Sequence, residues 1–171
     1  AYQAYFEHMP MPRRMFPRAG EMRTYTHFDV GDLLRVYLLD DRQYRTPQPC
    51  PRPNRHGSQV LTNCMALRDP AQTLLGKTQE DWLQARFADS KAHWNLIGQQ
   101  TLFAPMDEQP GAERGTWTDG WDGYPLARER FLRDLKSSSL ANPVLAGGDL
   151  HCNVVADVPS DPERFNSEPI A

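Results

Sequence analysis

The sequence lacks both a long apolar segment and an excess of charge of one sign. Its longest apolar runs are interrupted by Arg35 or by aspartates, whereas a membrane-spanning helix needs about 20 consecutive apolar residues. The 19 Lys and Arg and 22 Asp and Glu residues give a net charge of -3 and are mixed along the chain. The sequence therefore predicts no membrane span and gives no electrostatic basis for binding nucleic acid.

Cysteine is also scarce, and the common zinc and nucleotide motifs are missing. The three cysteines show no C-x-x-C spacing, and no H-x-x-x-H occurs, which argues against a structural zinc site. Neither a P-loop nor a G-x-G-x-x-G is present, so a nucleotide-binding fold has no support. Cys50 and Cys64 flank a proline-rich loop and could form a disulfide if the protein is secreted.

The length of 171 residues predicts one domain, and the order of its elements predicts an α/β layered core. Long polar loops are expected at about 40–77 and 106–123, with a polar tail at 159–171. Because the first residues neither form a signal peptide nor include an initiator Met, we expect the chain to begin inside a larger protein or after processing. The predicted elements are a helix at 1–9, a β-hairpin at 22–39, a helix capped by Thr78, a strand at 94–103, a helix from Pro125 and a strand at 144–146.

Residues 144–153 form the most informative segment, in which an apolar run ends in two glycines followed by Asp149 and His151. In an extended chain, residues two apart point to the same side, so these two side chains are expected to converge just past the strand. A carboxylate and an imidazole at such a point suit a metal or phosphate site. A simple polar turn after a buried strand is the alternative.

Residues 38–45 place a second group of polar side chains at the end of another apolar strand. Functional groups in α/β proteins commonly lie at the carboxyl ends of strands. Arg42 offers a planar fork of donors that suits phosphate oxygens, and Tyr44, two residues on, could face the same way. These two residues are candidates for orienting a phosphate or supporting the site. An ion pair that closes the strand is the alternative.

Residues 119–125 form a glycine-spaced loop directly before a predicted helix, whose free amide groups attract anions. Trp121 and Tyr124 could line a substrate pocket, since such pockets are mostly apolar with a few polar groups. In the alternative interpretation, this aromatic loop packs onto the core.

Taken together and in order, several segments resemble the alkaline phosphatase D (PhoD-like) family of metallophosphatases. The resemblance covers roughly residues 1–157. The matching pieces are residues 4–10, 39–45, 75–83, 94–100, 121–125 with Arg128 and Arg130, and 148–151.

The resemblance implies a two-sheet β-sandwich flanked by helices, with a metal centre at the strand ends. It also implies hydrolysis of phosphate mono- and diesters, metal ions that are usually iron with calcium, and export to the periplasm or beyond. By the Gly-Asp-x-His motif, His151 would ligate a metal and Asp149 would support the loop. Earlier family motifs (a Cys, an Asp with a nearby Tyr, and Asp-Asp-His) do not occur in this chain.

The leading hypothesis is therefore that the parent protein is a metal-dependent phosphoesterase acting on a small phosphate ester. A metal ion would activate the attacking water or hydroxide. The main alternative is a non-catalytic fragment or binding module that keeps the fold without a complete metal centre. A third possibility is a carbohydrate- or lipid-active hydrolase that uses carboxylates such as Asp119 and Asp122.

Overall fold

The computed structural model describes residues 1–52, 58–161 and 167–171, and it is a mixed α/β structure. Three helices and two sheets occur within these residues. The helices are α1 (Tyr2–His8), α2 (Lys77–Asp89) and α3 (Pro125–Ser138), and the strands are β1 (Thr26–Val30), β2 (Leu34–Leu38), β3 (Val60–Leu61), β4 (Trp94–Gly98), β5 (Thr116–Trp117) and β6 (Pro143–Ala146). Within the described residues, none of the helices has the length and apolar character needed to cross a membrane.

The main sheet has four strands in the order β1-β2-β4-β6. Strands β1 and β2 form an antiparallel hairpin, whereas β2, β4 and β6 run parallel to one another. Helix α2 connects β2 to β4, and α3 connects β4 to β6. The carboxyl ends of three parallel strands therefore lie along one edge of the sheet, where α/β proteins usually bind their ligands.

The hydrophobic core lies between the main sheet and the two longer helices. Tyr37 on β2 and Ile97 on β4 are fully buried beneath them. The rings of Phe87 on α2 and Phe131 on α3 contact each other edge to face, with centroids 5.7 Å apart. The opposite face of the sheet also carries apolar side chains, but several of these remain exposed, including Phe28, Leu38 and Val144.

The second sheet is a small antiparallel pair of strands, β3 and β5, within the two long loops. A disulfide joins Cys50 to Cys64 on either side of β3, as the sequence allowed for a secreted protein, whereas Cys152 is free and exposed. Residues 53–57, inside the loop that this disulfide closes, lie outside the described residues.

Sequence patterns predicted the helices, the hairpin and the last strand, but several boundaries were wrong. The strand expected at 94–103 ends at Gly98, and its next residues turn into the loops described below. Helix α2 begins at Lys77 with Gly76 as its N-cap, at φ 73°, so Thr78 lies inside the helix and does not cap it. Glycine adopts this left-handed conformation at little cost.

Candidate active site at the carboxyl ends of the parallel strands

The loops that follow β2, β4 and β6 are joined by side-chain to backbone hydrogen bonds. Gln100, just after β4, accepts a bond from the Asp41 amide at 2.8 Å and donates to the Leu39 carbonyl at 2.7 Å. Gln79 of α2 does the same for Asp40, accepting from its amide and donating to its carbonyl. The carboxamides of Gln79 and Gln100 therefore fix the backbone from which Arg42 projects.

The loop after β6 approaches the loop after β4 so closely that only glycine fits at its first position. A Cβ on Gly147 would overlap the carbonyl oxygen of Thr101 and lie 2.5 Å from Nε2 of Gln99. A Cβ on Gly148 would have its nearest neighbour, the Gln100 carbonyl oxygen, at 3.7 Å, which is an ordinary contact. The first glycine of the pair is therefore required by close packing, and the second is not.

Asp149 and His151 adopt left-handed backbone conformations, with φ of 67° and 61°. The expectation that they lie in extended chain is therefore wrong, whereas the convergence of their side chains stays a prediction. Non-glycine residues rarely adopt such angles, and residues that do are concentrated at functional sites and turns. Both side chains are exposed, and both residues border two cavities of about 670 and 460 Å³.

Arg42 connects three carboxylates around the site. Its Nη2 donates to Oδ2 of Asp149 at 2.9 Å. Its Nη1 donates to the carbonyl oxygen of Asp119 at 3.0 Å and lies 3.1 Å from Oδ1 of the same residue. Its Nε lies 3.6 Å from Oδ1 of Asp41. The ion pair proposed as an alternative from the sequence is present, and it lies at the centre of the site.

Asp41 is a fully buried carboxyl beneath this guanidinium. Thr101 donates to its Oδ2 at 2.8 Å, and within the described ranges no hydrogen-bond donor reaches its Oδ1. Burial raises the pKa of the Asp41 carboxyl, and the Thr101 hydroxyl and the charge of Arg42 only partly oppose this rise. An unsatisfied buried oxygen of this kind is costly, and it is unusual away from functional sites.

Asp119 and Asp122, the carboxylates of the alternative carbohydrate- or lipid-active hydrolase, each pair with arginines. Asp119 accepts bonds from Arg45 at 2.7 Å and Gln48 at 2.6 Å in addition to its contact with Arg42. Asp122 pairs with the buried Arg128 at 2.5 Å. Both carboxylates therefore organise arginines and the loop backbone.

Trp121 and Tyr124 lie in the hydrophobic core, as in the alternative interpretation of their loop. Trp121 is 1% exposed and donates from Nε1 to Oε1 of Gln99 at 2.9 Å, while its edge borders the 460 Å³ cavity. Tyr124 is fully buried and donates to the Thr46 carbonyl at 2.7 Å. Direct contact of either ring with a substrate stays a prediction.

Tyr44 does not share the partners of Arg42. It remains partly exposed, and its ring contacts Tyr25 edge to face at 5.6 Å. Its backbone and Cβ pack against Gly76, the N-cap of α2. Arg42 and Tyr44 are two residues apart, but they therefore contact different neighbours.

In the part of the chain that the structure describes, no three or more His, Cys, Asp or Glu side chains come together as a group that could hold a metal ion. Asp149 and His151 therefore do not belong to a complete ligand set within these residues. The single imidazole of His151 offers one ligand at most.

Sequence reasoning missed the polar residues that hold the site together. These residues are Gln79, Gln99, Gln100 and Thr101, and they bond to backbone, to the Asp41 carboxylate or to the Trp121 indole more than 20 residues away. The sequence signal for these residues is the polar run Gln99-Gln100-Thr101 directly after an apolar strand. The strand predicted at 94–103 includes this run.

Comparisons with known proteins show the family of this chain. A family model described as PhoD-like phosphatase matches residues 1–171. The chain belongs to the PhoD-like phosphatase family. Alkaline phosphatase D from Bacillus subtilis (strain 168) is 39% identical over 168 residues, which is 98% of this chain and 28% of that protein.

A solved structure of PhoD matches the fold as well. It has a TM-score of 0.86 and 38% identity, covering 99% of this chain and 31% of that chain. The mixed α/β fold expected from the sequence is therefore confirmed as part of a PhoD-like domain. The chain spans less than a third of the length of both PhoD relatives.

Proposed function

We propose that this chain contributes part of the active site of a metal-dependent phosphoesterase that hydrolyses phosphate mono- and diesters. The observation that supports this most is the ion pair of Arg42 with Asp149, beside a cavity that Asp149 and His151 both border. Membership of the PhoD-like phosphatase family supports the same reaction class.

His151 is the proposed metal ligand of this chain. Its side chain is exposed at the border of both cavities, and neutral imidazole is a common ligand of transition metals. The described residues alone do not form a complete centre, so further ligands have to come from other parts of the protein. Iron with calcium, and a metal-activated water or hydroxide, are proposed from the family resemblance.

Arg42 is proposed to orient the phosphate and to hold Asp149 in place. Nη2 carries two N–H groups and directs one of them to Asp149, so a second donor is available to a phosphate oxygen. The guanidinium is about one third exposed. Tyr44 is proposed to support the loop through its packing on Tyr25, and Trp121 and Tyr124 to shape the pocket from the core side.

We also propose that residues 1–171 are one part of a larger catalytic domain. Phe28, Leu38 and Val144 leave an apolar patch exposed on the outer face of the main sheet, and large exposed apolar patches usually have a partner. The chain covers 28% of its curated relative, which leaves ample chain in such a protein to cover this face. Together these observations favour a partial domain.

An exported protein, periplasmic or secreted, is the proposed location. The disulfide between Cys50 and Cys64 supports it, because structural disulfides persist mainly in oxidising compartments. The named relative is a bacterial protein.

A non-catalytic module that retains the fold is the second candidate. The observation that favours it is the absence of a metal-holding cluster among the residues the structure describes. Metal content separates the two candidates, because a catalytic protein retains metal through purification and a module without the centre does not.

The test is hydrolysis of a chromogenic phosphate monoester and diester by the full-length protein, with elemental analysis of the same sample. The proposal predicts turnover of at least one ester and one or more equivalents of bound metal. Metal-free protein without turnover would contradict it and favour the non-catalytic module.

A further inference from the structure

The cavity of about 460 Å³ next to Asp149 and His151 is lined by apolar residues as well as by polar ones. Its lining includes Asp149, His151 and Gly148 of the loop after β6. It also includes a group of apolar residues from the small sheet and the loop between β4 and β5, here called the Trp117 wall. These residues are Val60, Leu102, Ala104, Met106 and Trp117.

Trp117 is the largest exposed side chain of that apolar wall. Its strand β5 pairs with β3 so that Trp117 lies directly opposite Val60, and residues directly opposite in an antiparallel pair project from the same face of the sheet. Both residues border the cavity. Trp117 is 38% exposed, so a flat indole surface remains accessible beside the charged wall.

The small sheet that presents Trp117 is held firmly in place. The Thr118 amide donates to the Gln59 carbonyl at 3.0 Å, and the Thr118 hydroxyl donates to Gln48 at 3.0 Å. Gln59 also donates from its side chain to the carbonyl oxygen of Cys50, one half of the disulfide. The position of Trp117 relative to Asp119 and Arg42 is therefore fixed by covalent and hydrogen-bonded links.

From this arrangement we infer that the Trp117 wall is the subsite for the leaving alcohol of the substrate, and that it selects phosphate esters whose alcohol carries an aromatic or other flat apolar group. This inference rests on the proposed function. A phosphate beside His151, which borders this cavity, can place its ester substituent in the same cavity. Burial of an apolar group against an apolar, aromatic wall there is favourable. Glu108, on the same border, disfavours a second anionic group.

The test compares 2-phenylethyl phosphate with ethyl phosphate in the full-length protein. Both are esters of primary alcohols with similar leaving-group chemistry, so the ratio of their kcat/KM values reports on recognition of the phenyl ring. We expect the ratio to favour the phenylethyl ester and to fall at least fivefold in Trp117→Ala. In Trp117→Phe, which keeps an aromatic face, most of the preference should remain.

Trp94→Ala is the matched control, since Trp94 is another exposed tryptophan, 49% exposed, at the start of β4 and therefore at the opposite edge of the sheet. The ratio should be the same in this variant as in the wild type. An unchanged ratio in Trp117→Ala, or an equal loss for both esters, would overturn the subsite. If the wild type hydrolyses a chromogenic phosphate ester but neither of these two, the subsite is overturned and the proposed function stands. If it contains metal but hydrolyses none of them, the proposed function itself fails and the subsite with it.

Discussion

Arg42 and Asp149, which are 107 residues apart in the sequence, form an ion pair of 2.9 Å that joins the loop after β2 to the loop after β6. The parallel arrangement of β2, β4 and β6 brings the two loops to one edge of the sheet. Because Arg42 also contacts Asp119, which follows β5, its guanidinium connects the loops after β2, β5 and β6.

Replacing Arg42 with alanine should lower turnover of the full-length enzyme at least tenfold. The change removes a proposed phosphate donor and the guanidinium partner of the Asp149 carboxylate, whereas Asp119 keeps its ion pair with Arg45. Steady-state kinetics with a chromogenic phosphate ester measure the effect. Arg133→Ala is the control, because the Arg133 side chain is 68% exposed and only approaches Asp134 at 3.9 Å. Kinetics unchanged by Arg42→Ala would rule out its role.

The two adjacent glycines should respond differently to alanine. In Gly147→Ala the new Cβ overlaps the Thr101 backbone, so we expect the free energy of unfolding to fall by about 1–3 kcal/mol, the usual cost of overpacking. Gly148→Ala meets only an ordinary contact at 3.7 Å and should be neutral or slightly stabilising. Urea unfolding of the two variants measures both effects, and equal destabilisation would contradict the described packing.

Asp41 should make stability depend on pH. Burial raises its pKa in the folded protein above the ordinary value of 3.8, so the folded state holds this proton more tightly than the unfolded state does. Its stabilising contribution is therefore complete below about pH 3.8 and is lost as pH rises through the folded pKa.

Asp41→Asn removes this titration while other carboxyls stay the same. The wild type should lose stability relative to the variant as the pH increases from about 4, until Asp41 is fully ionised. Unfolding free energies of both proteins across this range give the difference. A difference that does not change with pH would show that burial does not perturb Asp41.

The disulfide should contribute measurably to stability. Cys50 and Cys64 are separated by 14 positions, and closing a loop of that size restricts the unfolded chain by about 3 kcal/mol in the chain-entropy model. The double variant Cys50→Ser/Cys64→Ser should lower the melting temperature under non-reducing conditions. Cys152→Ser is the control, because Cys152 is exposed and unpaired. A double variant as stable as the wild type would contradict the expectation.

Local sequence patterns were sufficient to predict most of the elements. The apolar and β-branched residues on either side of Gly31 predicted the β1–β2 hairpin, and Pro125 with apolar residues at intervals of four predicted α3. Such signals are read within one element, so they do not depend on the rest of the chain. The end of β4 was not predicted because no glycine or proline interrupts residues 99–103, whereas hydrogen bonds to distant residues hold this segment as a loop.

The site was predictable as a set of residues but not as a geometry. The positions of Asp149, His151 and Arg42 after apolar strands predicted them as site residues. Asp149 and His151 border the same cavity, and Arg42 contacts Asp149. Their arrangement depends on left-handed backbone at Asp149 and His151 and on an ion pair across 107 residues. Local periodicity predicts neither feature. The sequence also does not distinguish Gly147, which close packing requires, from Gly148.

The most direct test of the account is the metal content and activity of His151→Ala beside His93→Ala in the full-length protein. Both histidines are exposed, but His93 precedes β4 at the opposite edge of the sheet. We predict that His151→Ala loses bound metal and phosphoesterase activity together, whereas His93→Ala keeps both. Full metal content and activity in His151→Ala would contradict the assignment of this loop to the metal centre.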